Sequence, residues 1–420
     1  MIDSITISNF KCFERDHLFS LRHFNVFTGY NGRGKSSVFQ SLLLLSQSLE
    51  KNGNLEKLQV NGNFVSLDLF EDLVNCKHQG EPISFRIVQT NPKIEVELGY
   101  IELSERIGKL DSLSINDVDY FNQKLSAIGD KQETIVHSLS SEYPQSFHEL
   151  FKNFEYVSAF RVGPTKFEEK SDLNKVNPVG RDGEHSLSVI ANNLNLQKEI
   201  NDCMSYIMDG VKLEIKGEER TASVLRLFLT INDKDHPFKA INCGFGYRYI
   251  LPIVVSSLTM EKGCLFIENP EAHLHPKAQS RLMEVLCNKL SSKDVQIFIE
   301  THSEHVINAI RLNSLKPECG LNYNDVNIYF FDEDYHSFLL EMDENGQIAN
   351  WPVGFFDQQE EDLSTFCRRN TRSMAKTTSL TLSEFRARSW RANFILCLAR
   401  WRQPTTCAAA SRTTESKLKA

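Results

Sequence analysis

The 420-residue chain lacks the features typical of secreted and membrane proteins. Its 10 cysteines are scattered and form no C-x-x-C pair, a pattern that favours reduced thiols over a disulfide framework. Residues 1–4 contain no basic segment followed by an apolar one, and apolar runs such as residues 42–45 are far shorter than the roughly 20 residues of a membrane span. These absences predict a cytoplasmic protein with no membrane partner.

The composition is that of a globular protein, with 41% apolar and 24% charged residues. The net charge of −8 is unevenly distributed. Nine Arg and three Lys against two Glu give residues 364–420 a charge of +10, so that residues 1–363 carry −18. An acidic body is unusual for a protein that grips DNA alone. We predict that residues 364–420 are a disordered or non-native tail; a basic DNA-binding tail is the alternative.

The strongest motif is G-x-x-x-x-G-K-S, which begins at Gly29. Alternating residues 24–28 before it predict a strand, and residues 38–49 after it, with no Gly or Pro, predict a helix. Glycines let successive backbone N–H groups point inward at phosphate oxygens, and the helix N-terminus adds positive potential. The motif in this setting predicts a phosphate-binding loop. We expect Lys35 to bridge the β- and γ-phosphates and the Ser36 hydroxyl to ligate Mg²⁺.

A second group of motifs lies in the last third of the chain. Apolar residues 264–267 predict a buried strand that delivers Glu268 to its C-terminal end, where ligands collect in parallel sheets. Residues 296–300 predict another buried strand, followed by Thr301-His302-Ser303. Ahead of both, a Gly-rich stretch at residues 242–246 precedes a predicted apolar helix.

Other segments predict the organisation of the chain. Alternating residues favour an antiparallel β region over 55–102, and polar residues with scattered apolar positions favour helices over 103–153. A strand is predicted over 154–160, helical structure over 186–208 and a β pair over 211–231. No sustained heptads indicate a long coiled coil. We therefore predict one domain over residues 1–363, with a helical and β insertion at about 103–210, and a separate tail.

Taken together, these motifs resemble the ABC class of AAA-type ATPases, in its SMC/RecF/OLD-like branch. Residues 268–276 resemble the extended Walker B motif and D-loop of that branch, and residues 9–13 resemble its opening signature beside the nucleotide. Residues 242–246 resemble a degenerate signature loop, and residues 160–164 lie where the Q-loop is expected. Residues 350–357 resemble the C-terminal hallmark of a subgroup found in bacterial anti-phage defence systems.

The resemblance implies an α/β ATPase head with a mixed, mainly parallel core sheet, flanking helices, an antiparallel β subdomain and a helical lobe. It implies ATP and Mg²⁺ as cofactors, with Ser36 and Glu268 on the metal and His302 sensing the γ-phosphate. It also implies a homodimer or higher homo-oligomer that closes around ATP, with the signature loop acting in trans. The implied nucleotide contacts are Lys11, Asn31, Gly32, Arg33, Gly34, Lys35, Ser36, Ser37, Asn242, Gly244 and Gly246.

The chain departs from the branch at Asn269, where an acid usually acts as general base. A neutral amide can orient water but cannot take its proton. Either Glu271 is the base, or hydrolysis is slow and ATP acts mainly as a dimer clamp. The predicted catalytic group is Glu268, Glu271, Asn269 and His302. A metal site formed by His273, His275, His302 and His305 is disfavoured, because the ATPase pattern already uses two of them.

The leading hypothesis is a sensor or regulator ATPase of an anti-phage defence system. No HNH or Toprim pattern appears in the chain, so a nuclease effector of either type would be a separate subunit. The alternative is a RecF- or SMC-like ATPase for DNA repair or DNA loading, which the acidic body and the lack of an arm disfavour. A transporter subunit is disfavoured by the missing standard signature, and Asn269 keeps a non-hydrolysing scaffold open. Nucleic-acid binding is left open.

Overall fold

A computed structural model of the chain describes residues 1–119, 151–161, 168–169, 177–217, 224–231, 237–242, 246–352, 354–356, 362 and 364–365. The chain divides into two compact units, Met1–Phe355 and Phe356–Ala420. All the elements below belong to the first unit. Gly244, residues 120–150 of the predicted insertion, residues 162–164 of the predicted Q-loop and nearly all of the predicted tail lie outside the described residues. The domain boundary at 363 stays a prediction.

The strands and helices are numbered in chain order. The strands are β1 Ser4–Ser8, β2 His17–Ser20, β3 Phe24–Gly29, β4 Lys57–Gln59, β5 Ile83–Gln89, β6 Ile94–Ser104, β7 Ile107–Ile115, β8 Val118–Asp119, β9 Phe154–Val157, β10 Glu168–Glu169, β11 Val211–Lys216, β12 Val224–Ile231, β13 Phe238–Lys239, β14 Lys262–Glu268, β15 Asp294–Glu300, β16 Val326–Phe331 and β17 Ser337–Leu340. The α-helices are α1 Lys35–Asn52, α2 Ser186–Ala191, α3 Leu194–Ile207, α4 Gly246–Thr259, α5 Pro276–Leu290 and α6 Glu304–Asn313.

The central sheet has the described strand order β17–β16–β3–β15–β14–β9. All its neighbours pair in parallel except β17, which runs antiparallel to β16. Parallel sheets are covered on both faces, which explains the continuous apolar runs of these strands. The rings of Phe266 and Phe298, for example, stack with centroids 4.5 Å apart on adjacent strands. Three predicted strands are confirmed: the strand before the phosphate loop and those at 264–267 and 296–300.

The register of the central sheet brings three strand ends to one edge. Glu268 at the end of β14 pairs with Glu300 at the end of β15. Glu300 in turn pairs with Phe27, two residues before Gly29. The acidic ends of two strands therefore lie beside the start of the phosphate loop.

A second sheet is antiparallel throughout, with the described order β2–β1–β5–β6–β7–β4 and with β8 on β7. It shares one hydrophobic core with the central sheet, since Ile5 and Phe85 belong to the same cluster of buried side chains as Phe27 and Phe331. The predicted antiparallel β region is confirmed.

The prediction of helices over 103–153 is wrong for residues 103–119, because β6 continues to Ser104 and β7 and β8 follow. The described residues 151–152 are helical. The register of β6 and β7 shifts between Gly99 and Tyr100, whose partners are Ser112 and Leu110. The shift leaves buried Leu110 and Leu113 three residues apart. A spacing of three is also typical of a helix, so the bulge hid the strand alternation.

The helical structure predicted over residues 186–208 is confirmed with one correction. The predicted helical stretch over 186–208 is two helices, α2 and α3, separated by Asn192 and Asn193. The predicted β pair over 211–231 is confirmed as β11 and β12. The fold is α/β, with a mixed sheet, antiparallel sheets and flanking helices, and the described ranges contain no long coiled coil. None of their helices has the length and apolar character needed to cross a membrane.

One carboxylate is buried inside the fold away from the phosphate loop. Glu155 on β9 is 6% exposed, and its Oε2 has no hydrogen-bond partner within the described part of the chain. Burial raises the pKa of Glu155 from 4.5 to about 7, and the nearby Ser256 hydroxyl and the charge of Lys293 offset this only in part. Because the folded-state pKa lies above the unfolded value, the contribution of this group to stability falls as the pH rises through this window.

Replacing Glu155 by Gln should therefore stabilise the protein in alkaline solution. We expect Glu155→Gln to raise the free energy of unfolding at pH 8 by up to about 3 kcal/mol, and the gain should vanish as the pH falls towards 4.5. Thermal unfolding at several pH values measures the effect. Glu214→Gln, on an exposed position of β11, is the matched control. A gain in the free energy of unfolding that does not depend on pH would contradict the raised pKa of Glu155.

Candidate nucleotide-binding site

The phosphate loop has the backbone that its sequence requires. Gly29, Gly32 and Gly34 have φ values of 116°, 71° and 107°, which favour glycine. A Cβ at Gly29 would also lie 2.2 Å from the carbonyl oxygen of Phe331 on the neighbouring strand. Helix α1 begins at Lys35 directly after Gly34, so its unpaired N–H groups and positive dipole end face the loop.

Lys35 and His302 meet at this loop. Lys35 is 3% exposed, and its Nζ donates hydrogen bonds to the carbonyl oxygens of Gly29 at 3.2 Å and Tyr30 at 2.6 Å. Burial lowers the pKa of Lys35. Burial, followed by the positive charge of Lys35, lowers the pKa of His302, which favours the neutral imidazole. The predicted phosphate lysine and γ-phosphate sensor therefore adjoin.

Ser36 contacts a carboxylate to which the sequence patterns assigned no role. Its Oγ donates a hydrogen bond of 2.7 Å to Oε2 of Glu300, which is 7% exposed. Burial, followed by the negative charge of Glu268, raises the pKa of Glu300 to about 7. The signal for Glu300 was an acid at the end of an apolar strand, the same signal that identified Glu268.

Glu268 and Asn269 are held from the side of β9. Oε2 of Glu268 accepts a hydrogen bond of 3.0 Å from the backbone N–H of Ala159. The guanidinium of Arg161 donates to the carbonyl oxygens of Glu268 at 2.9 Å and Asn269 at 2.5 Å. Asn269 has a left-handed φ of 43°, and its buried Oδ1 finds no hydrogen-bond partner among the described residues. An amide oxygen in this position is available to a bound ligand.

Both carboxylate oxygens of Glu271 are occupied. Oε2 accepts a hydrogen bond of 2.8 Å from the Thr301 hydroxyl, and Oε1 accepts one of 2.7 Å from the backbone N–H of His302. Glu271 thus fixes the segment that carries His302. These contacts favour a role for Glu271 in positioning His302. They disfavour the role of general base, which was one of the two predicted alternatives.

The other predicted contacts in the first 37 residues surround the loop. Asn31 and Gly32 are exposed at its tip, and the guanidinium of Arg33 lies 4.3 Å from the ring centroid of Tyr335. Lys11 Nζ donates a hydrogen bond of 2.5 Å to Oε1 of Gln40 on α1. Its neighbour Cys12 lies against the loop, since a Cβ at Gly34 would lie 2.6 Å from the Cys12 sulfur. The segment around Lys11 therefore packs directly on the phosphate loop.

The predicted signature residues lie elsewhere in the first unit. Asn242 is exposed at the end of a short 3-10 turn, Ala240–Asn242. Gly246 is buried at the start of α4, where a Cβ would lie 3.0 Å from the carbonyl oxygen of His273. Gly246 therefore packs on the D-loop of its own chain, and the action of these residues in trans stays a prediction.

All four histidines of the disfavoured metal site lie within the described residues. No three of His273, His275, His302 and His305 bring ligand atoms within 4.8 Å of one another there. His275 instead accepts a hydrogen bond from the N–H of Lys277 at the start of α5. The ring of His273 lies 4.6 Å from that of Tyr249 on α4. These two histidines have structural partners.

The donor set fits Mg²⁺ and a triphosphate. The Ser36 hydroxyl and the carboxylates of Glu268 and Glu300 are hard oxygen ligands. Lys35 and the N-terminus of α1 supply positive potential for phosphate oxygens, and the unpaired Asn269 Oδ1 can accept from water. A divalent cation in this site would neutralise charge on the phosphates. The assignment of Ser36 and Glu268 to the metal stays a prediction.

Comparison with known families identifies the class. Residues 24–308 match the family described as "AAA domain, putative AbiEii toxin, Type IV TA system". Residues 321–365 match a family described as "Protein of unknown function (DUF3696)". A relative from Helicobacter pylori (strain ATCC 700392 / 26695), named "ATP/GTP phosphatase", is 22% identical over 337 residues, which are 73% of this chain and 86% of the relative.

Solved structures with a similar chain path include two SMC heads. The SMC head domain from Thermotoga maritima covers 81% of this chain and 99% of its own, with 9% identity and a TM-score of 0.43. An SMC head bound to the C-terminal winged-helix domain of ScpA covers 81% and 96%, with 11% identity and a TM-score of 0.49.

The phosphate loop, the paired acidic strand ends and the family match define a P-loop ATPase of the ABC-like class. The chain belongs to the AAA-domain family described as "putative AbiEii toxin, Type IV TA system", whose model matches more than half of its length.

The hydrogen bonds of Glu271 generate a prediction that separates positioning from proton transfer. Gln at this position still accepts from the N–H of His302, so Glu271→Gln should lower the ATPase kcat by no more than about 10-fold. Glu271→Ala removes both contacts, and displacement of His302 should cost about 100-fold or more. Steady-state phosphate release measures both variants. A general base would instead lose about 10²- to 10⁴-fold in the Gln variant as well.

Proposed function

We propose that this ATPase is a nucleotide-dependent switch that works as a homodimer or higher homo-oligomer. In this proposal it is the sensor or regulator subunit of an anti-phage defence system and controls a separate nuclease effector. ATP with Mg²⁺ favours the closed assembly, and a trigger biases the equilibrium between the open and closed states.

The observation that carries the switch is the position of Arg161. This arginine is 1% exposed, and it holds the backbone carbonyls at the end of β14. Its guanidinium also lies 5.5 Å from the ring centroid of Tyr249 on α4. Burial lowers the pKa of Arg161 to about 10, so it remains charged at pH 7. One buried cation thus connects the acidic strand end with the helix that follows the predicted signature loop.

The same connection leads to the surface. Phe160 directly precedes Arg161 and is 84% exposed, which is unusual for a phenylalanine beside a polar site. A shift of Glu268 or Asn269 on nucleotide binding would move Arg161 and therefore Phe160. This supports Phe160 as part of the surface that a second copy covers when ATP is bound.

Slow turnover is part of the proposal. Asn269 is neutral, and the contacts of Glu271 favour positioning, so few groups remain to accept a proton from water. A slow hydrolase holds its ATP state for longer, which suits a clamp that restrains an effector. The family description, which names a putative toxin of a toxin–antitoxin system, supports a role in defence. The name of the Helicobacter pylori relative supports hydrolysis of nucleoside triphosphates.

Two measurements on the purified protein test the proposal: ATP turnover with and without duplex DNA, and self-association with and without ATP. We expect turnover below about 1 s⁻¹, under the usual enzymatic range, and indifferent to DNA. ATP should shift the protein towards a dimer in analytical ultracentrifugation. Phe160→Ala should weaken this shift, whereas Leu312→Ala, at another exposed apolar residue, should not.

Two outcomes would contradict the switch. Turnover raised several-fold by duplex DNA would favour the DNA-repair or DNA-loading function. Self-association that is independent of ATP, in the wild type and in Phe160→Ala alike, would remove the nucleotide-dependent clamp.

A further inference from the structure

We propose that residues 321–352 and 354–355, the C-terminal segment of the first unit, position the phosphate loop for the nucleotide, and that Tyr335 does so through Arg33. These residues make up most of the region that matches the family of unknown function. A loop that is already held in its binding conformation loses less freedom when it binds, so its affinity is higher. The C-terminal segment thereby gains a role in nucleotide binding that does not depend on the proposed switch.

The backbone of the C-terminal segment is hydrogen-bonded to the phosphate loop. Strand β16 pairs with β3, and its last residue, Phe331, is the partner of Gly29. The backbone N–H of Tyr30 donates a hydrogen bond of 2.9 Å to the carbonyl oxygen of Phe331, so the pairing extends into the loop. The carbonyl oxygen of Tyr30 accepts a hydrogen bond of 2.6 Å from Nζ of Lys35. Tyr30 therefore connects the C-terminal segment with the phosphate lysine.

The side chain of Tyr30 packs on aromatic residues of the C-terminal segment. Its ring centroid lies 6.2 Å from that of Phe330, which lies 5.4 Å from that of Phe355. Trp351 completes the cluster, because its Nε1 donates a hydrogen bond of 2.9 Å to the carbonyl oxygen of Phe355. Gly354 also lies against Tyr30, since a Cβ at this glycine would be 2.5 Å from the tyrosine hydroxyl oxygen. The start of the loop thus rests on this cluster.

Further along the loop, Arg33 contacts Tyr335 in the turn between β16 and β17. The guanidinium carbon lies over the tyrosine ring, 4.3 Å from its centroid. Stacking on an aromatic face orients a guanidinium and leaves its N–H groups available to anions such as phosphate. Nε of Arg33 is buried and has no hydrogen-bond partner within the described ranges. Tyr335 therefore orients a predicted nucleotide contact without occupying this donor.

The turn that carries Tyr335 has a strained backbone. Tyr335 has a left-handed φ of 67°, which is unfavourable for a bulky side chain, and it is 48% exposed. Asp332 supports the turn, because its Oδ1 accepts hydrogen bonds of 2.9 Å from the backbone N–H groups of Asp334 and His336. A half-exposed ring gains little from burial to offset the strain. Its contact with Arg33 accounts for a tyrosine at this position.

Calorimetric titration with ADP and Mg²⁺ tests the role of Tyr335. Tyr335→Asn removes the ring and suits a left-handed backbone, so its melting temperature should equal or exceed that of the wild type. Its dissociation constant for ADP should nevertheless rise about 3- to 30-fold, the range expected for one cation–π contact. Tyr335→Phe keeps the ring and should retain most of the wild-type affinity. Phe338→Ala, at another exposed aromatic residue of the same hairpin, is the matched control and should bind ADP as the wild type does.

Two further measurements separate positioning from a general loss of structure. When Arg33 is already replaced by Ala, Tyr335→Asn should have no additional effect on ADP affinity, because it acts through that arginine. In steady-state hydrolysis by the otherwise wild-type protein, Tyr335→Asn should raise the KM for ATP while kcat stays within about 2-fold of the wild-type value. A partly unfolded protein would instead lose kcat at an unchanged KM.

Wild-type ADP affinity in Tyr335→Asn would overturn the proposal. So would an equal loss of affinity in Phe338→Ala, or an undiminished effect of Tyr335→Asn in the Arg33→Ala protein. If Tyr335→Asn fails to fold, Tyr335→Leu keeps the apolar bulk without an aromatic face and should still weaken ADP binding. ADP lacks the γ-phosphate that favours the proposed closed assembly, so failure of the switch would leave these comparisons unchanged.

Discussion

The parallel register of β3, β15 and β14 is the constraint on which the site depends. It fixes Glu300 beside the phosphate loop and Glu268 beside Glu300. Burial, followed by repulsion from the neighbouring Glu268, raises the pKa of Glu300, because both effects disfavour the charged carboxylate. The repulsion between the two carboxylates weakens when a positive charge binds beside them. The fold thus holds a site whose own electrostatics favour a cation.

Around this edge, the described contacts connect segments that are distant in sequence. Glu271 holds the turn that carries His302, and Arg161 holds the end of β14 while its guanidinium lies over Tyr249 of α4. These contacts use backbone groups and both oxygens of a carboxylate, so they leave little freedom for independent movement. A movement of residues at the γ-phosphate position can therefore be transmitted through these contacts to the surface at Phe160.

The sequence predicted what local patterns determine. The phosphate loop, the strand that ends at Glu268 and the antiparallel region around β5 and β6 followed from glycine spacing and alternation. The predicted helices after residue 103 failed at β7, because a bulge gave Leu110 and Leu113 a helical spacing. The contact of Glu300 with Ser36 depends on strand order and register, which no single stretch of sequence reveals. The occupied oxygens of Glu271 are likewise a tertiary feature.

The most direct test of the central claim, that the loop between β3 and α1 binds the nucleotide, is calorimetric titration with ATP and Mg²⁺. Lys35→Ala should weaken ATP binding about 100-fold, because a charge-assisted contact is worth up to about 3 kcal/mol. Lys277→Ala, at an exposed lysine on α5, should bind ATP as the wild type does. Equal ATP affinity of the wild type and Lys35→Ala would contradict the account.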